Sequence, residues 1–406
     1  LTKRANGAAS SVPLAGFPYH SLDQHLHKLL KSGHRVAICE QVEDPKFSKG
    51  IVKREVVEVV SPGTALSERY LDQKENNYLC AVVFDKNQCG IAILDNSTGE
   101  FYTCSQKNNN LLSILKKFNV SEVIIPEVME SDLKSLIKMK NIVITSIPNW
   151  CFGYENSKES LKTFYNVSSL KGFGIANDSL AISAAGCAVY YVDTNYKGRI
   201  KHIQPLSLLK EEGIMSLDSF TIRNLELFNS LDNQGIHGTL IGTIDKTITG
   251  AGGRLLKNWL RHPLTDPEII NTRLDRVTEF SDNPDILESI QELLKKVSDL
   301  ERILAKITNG KANPKDIINI GNTLSVIIKI KKFINKNTPI LTTTIDEFDD
   351  TSEISKDILD KIIIDPPVSI NNGGFIRDGI SHDLDELRKL SANASKWMLS
   401  MQKDEQ

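Results

Sequence analysis

Three dipeptides, Asp266-Pro267, Asn283-Pro284 and Asn313-Pro314, each set a side-chain acceptor directly before a proline, and each opens a stretch with apolar residues at helical spacing. Proline has no N–H to donate, so it sits without penalty where a helix leaves its first amides unpartnered, and the Asp or Asn before it can cap those amides. These starts predict that the chain after Leu217-Asp218 is almost entirely helical. Ile317, Ile320, Leu324, Ile327 and Ile328 recur at helical intervals, so the helices bury one face in a bundle. The last stretch, His382 to Gln406, reads as one more helix without a stop signal, which leads to the expectation that the chain is cut in mid-helix.

The first half is patterned differently. Ser21 followed by Gln24 is a capping-box signature, and Leu22, Leu26, Leu29 and Leu30 form one helical face before Gly33 ends it. Val36 to Cys39 and Val56 to Val60 read as strands, the second closed by Ser61-Pro62-Gly63; together they look like half a domain. Tyr78 to Phe84, Gly90 to Leu94 and Glu100 to Cys104 then follow as a three-strand meander with Asp-Lys-Asn and Asn-Ser-Thr-Gly turns. Leu111, Leu112, Leu115 and Phe118 predict a helix, Val123-Ile124-Ile125 a strand, Leu133 to Met139 a polar helix and Ile142-Val143-Ile144 a strand. That order is the one of an RNase H-like α/β unit, and Leu180 to Tyr191 adds an Ala-rich helix against its sheet.

At 406 residues the chain exceeds one core, so two or three domains are expected. Hydrophobic residues at 40% and charged residues at 25% exclude a disordered or fibrous class, and no apolar run reaches the length a bilayer needs. Thr2 to Gly7 holds no apolar signal region, and the N-terminus reads as truncated. Cys39, Cys80, Cys89, Cys104, Cys151 and Cys187 lack the paired spacing of a zinc site or redox motif and read as idle thiols in a reducing compartment. With 49 basic against 51 acidic residues the formal net charge is -2, so any nucleic-acid role must rest on local basic clusters.

Asp85 and Asp95 fall at strand ends of the α/β unit, where a nuclease of that fold would hold divalent metals; turn chemistry around Asp95 is the competing reading. His25 and His27, two apart on a helix, point to different faces, so the cluster His20, His25, His27 and His34 reads as surface residues. Thr249-Gly250-Ala251-Gly252-Gly253-Arg254 opens a helix that either cradles a phosphate or lets helices approach closely. It lacks the lysine of a P-loop, and G-x-x-x-x-G-K-[ST] occurs nowhere in the chain. On residue chemistry alone the chain is a binding or mechanical module. Lys3-Arg4 and the group Lys46, Lys49, Lys53 and Arg54, near Leu14, Phe17 and Tyr19, are the basic clusters able to meet a phosphate backbone.

Ala15-Gly16-Phe17-Pro18-Tyr19-His20, followed by Arg35-Val36-Ala37-Ile38-Cys39-Glu40-Gln41, resembles the mismatch-binding domain of the MutS family. Ser61-Pro62-Gly63-Thr64, Glu75-Asn76-Asn77-Tyr78-Leu79 and Leu94-Asp95-Asn96-Ser97-Thr98-Gly99-Glu100-Phe101 are similar to the family's connector. Arg223-Asn224-Leu225-Glu226-Leu227, the run from Gly253 to Leu260 and His262-Pro263-Leu264 resemble its lever. Ile376-Arg377-Asp378-Gly379 with Leu384-Asp385-Glu386-Leu387-Arg388 resembles the long helix toward the DNA clamp.

The resemblance implies an α+β multidomain protein: a partial mixed α/β N-terminal domain, an RNase H-like α/β connector and a mostly α-helical lever domain. The expected division is 1–62, a linker at 63–75, the connector at 76–195, a linker at 196–216, the lever at 217–380 and the start of the clamp-bound helix at 381–406. It implies DNA mismatch repair through binding of mismatched double-stranded DNA, with Leu14, Ala15, Gly16, Phe17, Pro18, Tyr19 and His20 beside the duplex and Lys3, Arg4, Lys53 and Arg54 on its phosphates. The F-x-E mismatch probe and the ATPase with its ATP and Mg2+ are expected outside these residues, leaving this chain without catalytic, cofactor or metal residues. A homodimer partner, a MutL-type repair protein docking on the connector and a cytoplasmic, bacterial setting complete the implication. A metal-dependent nuclease with a helical appendage, and a helical scaffold unrelated to DNA, are the alternatives.

Overall fold

The computed structural model describes residues 2–6, 10–14, 16–18, 21–43, 52–67, 70–131, 133, 142–209, 213–232 and 235–404. The chain divides into two compact units, residues 1–270 with 304–310, and residues 271–303 with 311–406.

The first unit begins with an antiparallel pair, β1 (Thr2–Asn6) and β2 (Ser10–Leu14), followed by helix α1 (Leu22–Lys31) and a second antiparallel pair, β3 (Val36–Gln41) and β4 (Arg54–Val60). Leu26 and Leu30 of α1 pack with Val60 and Ala65, whereas Leu29, read from the leucine spacing as part of the same face, is exposed. The expected capping box does not form, since Ser21 makes no side-chain cap hydrogen bond; its N–H instead donates to the Pro18 carbonyl at 2.9 Å in the turn that enters the helix.

The centre of the unit is a six-stranded mixed sheet. β5 (Leu79–Asp85), β6 (Gln88–Leu94) and β7 (Phe101–Lys107) form the antiparallel meander. After helix α2 (Leu111–Lys117), β8 (Glu122–Pro126) and β9 (Val143–Ile147) line up parallel on the free side of β5. Period-two alternation assigns the faces. Leu79, Ala81, Ala92, Leu94 and Ile124 point to one core, and Cys80, Val82, Ile91, Ile93, Val123 and Ile125 to the other. Helix α2 covers the second face, through Leu111, Ile114 and Leu115.

Helix α3 (Tyr154–Tyr165) and the 18-residue α4 (Ser179–Tyr196) cover the first face. A Cβ on Gly90 would lie 2.1 Å from the Leu180 carbonyl oxygen, so only glycine lets α4 press this close to β6. The chain then adds the two-residue β10 (Ser207–Leu208) parallel to β7. The polar helix expected over Leu133 to Met139 falls almost wholly outside the described residues. Helix α3 was absent from the sequence reading because its apolar positions are few; it buries Ser157, whose hydroxyl donates to the carbonyls of Cys151 and Ser183.

Three further helices close the first unit's sequence, α5 (Ser219–Asn224), α6 (Leu240–Ile244) and α7 (Gly250–Arg261), before α8 (Pro267–Asp282) leads out of it. The second unit holds α9 (Pro284–Leu294), α11 (Pro314–Asn337), α12 (Pro339–Asp346), α13 (Ser352–Lys361) and α14 (His382–Asp404), with α10 (Leu300–Thr308) shared between units. Its core joins Ile290 of α9, Val326, Ile330 and Ile334 of α11 and Ile345 of α12. At Gly321 a Cβ would lie 2.8 Å from the Ile358 side chain, so α13 approaches α11 over a glycine, and the Ser355 hydroxyl donates to the Gly321 carbonyl at 2.8 Å.

The three Asx-Pro starts resolve differently. Asn313 and Asp316 form a reciprocal capping box, and Asp266 accepts the Glu268 N–H at 2.9 Å. Asn283 makes no cap: its side chain donates backward to the Glu279 carbonyl and closes α8 instead.

Candidate nucleic-acid interface

The basic and aromatic residues expected at DNA lie on β1, β2, the turn into α1 and the start of β4. Lys3 is in register with Pro13, and Arg4 with Val12. The side chains of Lys3, Arg4 and Leu14, and all of Ala15, Tyr19 and His20, lie outside the described residues, as do Lys46 and Lys49. Gly16, Phe17 and Pro18 are exposed, and the Phe17 ring stacks on His25 with centroids 4.1 Å apart. His27 faces the other way, edge-on to Tyr70, so α1 separates the two imidazoles as its geometry requires. Arg54 is exposed. Lys53 is paired with Glu55 at 2.7 Å; hydrogen bonding and charge raise the lysine above its ordinary pKa and hold the glutamate below its own. Glu55 stands opposite Glu40 in the β3–β4 ladder, so Lys53 also offsets a like-charge contact there.

This element is tied to the sheet through residues 61–66, all buried. The carboxylate of Glu122 on β8, fully buried, accepts four hydrogen bonds: from Ser61 Oγ at 2.5 Å and Gly63 N at 3.0 Å on one oxygen, and from Thr145 Oγ1 at 2.7 Å and Tyr191 OH at 2.8 Å on the other. A Cβ on Gly63 would stand 2.7 Å from the Glu122 Cβ, so the Ser-Pro-Gly-Thr run can close on the carboxylate only with glycine there. Burial first, and the nearby Glu122 charge second, raise the Tyr191 phenol, keeping it a donor. Arg35, just before β3, adds a cation–π contact 5.4 Å from the Tyr191 ring centroid. Sequence reasoning missed Glu122, since a glutamate opening a strand reads as a solvated terminus until its four donors are assembled.

Asp85 and Asp95 do not form a metal site. The β5–β6 register pairs Asp85 with Gln88 at one end of the hairpin, whereas Asp95 follows Leu94, which pairs with Leu79 at the other end. Seven ladder steps at ~3.4 Å each hold them roughly 24 Å apart. Both Asp95 oxygens are occupied, one by the Ser97 N–H and hydroxyl, the other by the Asn77 N–H and the Asn76 amide. The turn reading holds, and the nuclease alternative is not supported.

The glycine-rich start of α7 is likewise no phosphate cradle. Thr249 caps its own helix by accepting the Gly252 N–H at 3.1 Å, and the space beside Gly253 is filled by the stem of Lys74, 2.6 Å from where a Cβ would sit. The glycine admits a lysine stem rather than a neighbouring helix. Lys74 Nζ reaches Asp245 at 2.9 Å and the Thr247 carbonyl at 2.9 Å, Lys257 Nζ reaches Glu75 at 2.7 Å, and Arg254 donates to the Gln73 carbonyl at 2.9 Å. Burial pushes the Asp245 carboxyl up, but the Thr247 hydroxyl and the Lys74 ammonium outweigh it and leave the group below its ordinary value.

Family descriptions match this chain in three consecutive stretches: MutS domain I over residues 1–69, MutS domain II over 77–204 and MutS domain III over 220–404. The chain belongs to the MutS family. It is 40% identical over 404 residues to the DNA mismatch repair protein MutS of Christiangramia forsetii, covering 99% of this chain and 46% of that protein. The proteins of the same name from Phocaeicola vulgatus and Bacteroides fragilis are each 38% identical over 406 residues, covering all of this chain and 46% and 47% of theirs. The chain thus spans about half the length of the curated relatives it matches. Within the MutS frame, the exposed Gly16-Phe17-Pro18 turn belongs to domain I, the Glu122 anchor to domain II, and the α7 contacts run from the segment between domains I and II to domain III. The chain is an α+β multidomain protein with a mixed sheet and a helical lever, and no described helix is long and apolar enough to cross a membrane. Among the cysteines Cys39 is exposed and the other five are buried; all six are free.

Proposed function

We propose that this chain supplies the DNA-side, connector and lever parts of a protein that binds mismatched double-stranded DNA in mismatch repair. The observation that carries the reading is the unbroken order of MutS domains I, II and III from residue 1 to residue 404. The turn from Leu14 to His20 lies beside the duplex, and Lys3, Arg4, Lys53 and Arg54 contact phosphates, which fix position rather than sequence. Selectivity comes from the ease with which a mispaired step kinks and unstacks. The division proposed is 1–62 for the mismatch-binding part, 76–195 for the connector, 217–380 for the lever and 381–406 for the helix toward the clamp. Helices over 249–261 and 313–333 act as stiff carriers of conformational change.

ATP and Mg2+ chemistry belongs to the longer protein. The glycine-rich start of α7 is capped by Thr249 and occupied by Lys74, so it does not fit a nucleotide phosphate. Homodimerisation, a MutL-type partner on the connector and a cytoplasmic location complete the proposal.

Fluorescence anisotropy of a labelled duplex, with and without a mismatch, tests it. Binding is expected to weaken linearly in log salt, with a slope set by about two to four neutralised phosphates. A combined Lys3→Ala and Arg4→Ala change should shallow that slope, and ATP should not be hydrolysed. Absence of duplex binding at low salt would sink the assignment of these residues.

A further inference from the structure

Helix α7 is built inside out. Its cations Arg254, Lys257 and Arg261 are 3%, 7% and 8% exposed, whereas Leu255 and Trp259 on the same helix are 50% and 40% exposed. Sequestering three cations is costly unless each is matched, and a well-packed apolar face would commonly give equal or greater stability. The matching is specific. Lys74 and Glu75, adjacent residues of opposite sign, meet Asp245 and Lys257 in reciprocal fashion, each side contributing one cation and one anion. Arg254 holds the Gln73 carbonyl, and Arg261 lies over the Phe228 ring at 4.8 Å. Lys74 and Glu75 each keep more than a third of their side chains exposed or close to it, at 34% and 38%, so water reaches this junction.

We propose that Lys74, Glu75, Asp245 and Lys257 form a charge-coded latch that fixes the register of α7 against the segment leading into the connector sheet, and that the latch can open and re-form. Lys74 and Lys257 are therefore positioning residues for any displacement handed from residues 72–78 to α7. The inference rests on the reading of α7 as a carrier of conformational change, and deepens it by naming the attachment. Reciprocal charge supplies register, because sliding α7 by one turn sets Lys257 away from Glu75, while Asp245, on the segment leading into α7, holds Lys74 in place. Reversibility comes from the 74–75 side, since Lys74 and Glu75 return to water on separation, while Asp245 and Lys257, at 15% and 9%, are the buried half that favours re-forming the pairs.

Amide hydrogen exchange of the full chain, without DNA, reads the latch directly and so fails or succeeds independently of duplex binding. Lys257→Glu should raise exchange at residues 72–76 by about tenfold, with the amides of β5 and β6 unchanged. Adding Glu75→Lys should restore protection to within about twofold. Raising salt from about 0.05 to 1 M should loosen the same amides in the unaltered chain. That response should shrink in Lys257→Met, where only the Lys74–Asp245 pair is left to screen; the change keeps the buried stem and removes only the charge, and it serves if Lys257→Glu fails to fold. No rescue by the swapped pair, or an equal salt response in Lys257→Met, overturns the proposal; so does exchange that rises in β5 and β6 together with residues 72–76.

Discussion

At one end of the stretch from Ser61 to Glu75, Ser61 and Gly63 close on a fully buried carboxylate that also takes Thr145 and Tyr191. At the other end, Lys74 and Glu75, 34% and 38% exposed, meet Asp245 and Lys257, 15% and 9% exposed, at comparable distances. The hydrogen-bond lengths are alike, and the surroundings are not. In the dry anchor each donor has given up water and has no substitute partner, so the contact is permanent on any timescale short of unfolding. In the other, Lys74 and Glu75 can exchange their partners for solvent while Asp245 and Lys257 stay largely buried, so the contact opens from one side and its charge pattern specifies register. Under the function proposed above, holding the first strands and α1 firmly on the sheet while passing movement to a helix calls for both kinds of fastening.

The largest expected effect tests the dry anchor. Glu122→Ala leaves the donors of Ser61, Gly63, Thr145 and Tyr191 facing a cavity, and should destabilise the first unit by about 3–5 kcal/mol. Urea unfolding followed by Trp150 fluorescence, in the same unit, would report it. Should Glu122→Ala prove no more costly than Lys257→Met, the distinction between the two fastenings collapses. Next in size is Gly63→Ala, which sets a methyl 2.7 Å from the Glu122 Cβ and 3.0 Å from Leu79. The Glu122 Cβ cannot move alone and the Leu79 methyl is fully buried, so the turn must lift from the carboxylate at about 1–3 kcal/mol. An upward shift in the urea midpoint would mean that the run is looser on Glu122 than the geometry says.

Much of this architecture was legible from residue order, and the reasons are local. Val123-Ile124-Ile125 and Gly90 to Leu94 read as strands because both faces of the sheet are covered, and the resulting apolar runs have few other ways to fold. Asn313-Pro314 announced α11 because capping is a property of neighbouring residues. The two fastenings were not legible, because each depends on partners far along the chain: Ser61 to Glu122, Lys74 to Asp245, Glu75 to Lys257. Helix α7 also misleads a periodicity reading, since Leu255 and Trp259 suggest an inward face that the structure turns outward. Of the expected DNA-side residues, Gly16, Phe17 and Pro18 are exposed, while the Phe17–His25 stack was hidden because it joins residues before α1 to a position inside it.

The smallest effect separates the fastenings by pH. His262, at the C-terminal end of α7, packs 5.6 Å from the Phe118 ring and shares a hydrogen bond between its Nδ1 and the Asn258 side chain at 2.7 Å. Burial, then the charges of Lys117 and Arg261, push its pKa down to about 4, against an ordinary 6.5, with only the Asn258 carbonyl opposing. The folded form therefore binds the proton less readily than the unfolded chain. Stability from this site is full above pH 6.5 and drains away as pH falls toward 4, at no more than about 1.4 kcal/mol per unit and less where solvent screens the ring. The Tyr191 and Tyr196 phenols around the dry anchor are raised, not lowered, so they keep their protons throughout this window. Exchange at residues 258–262 should thus rise between pH 6.5 and 4, after correction for intrinsic rates, before exchange at residues 61–64 does. His262→Asn should flatten the profile at 258–262. A profile that stays steep in that variant would mean that acid loosens this end of α7 through a group other than His262.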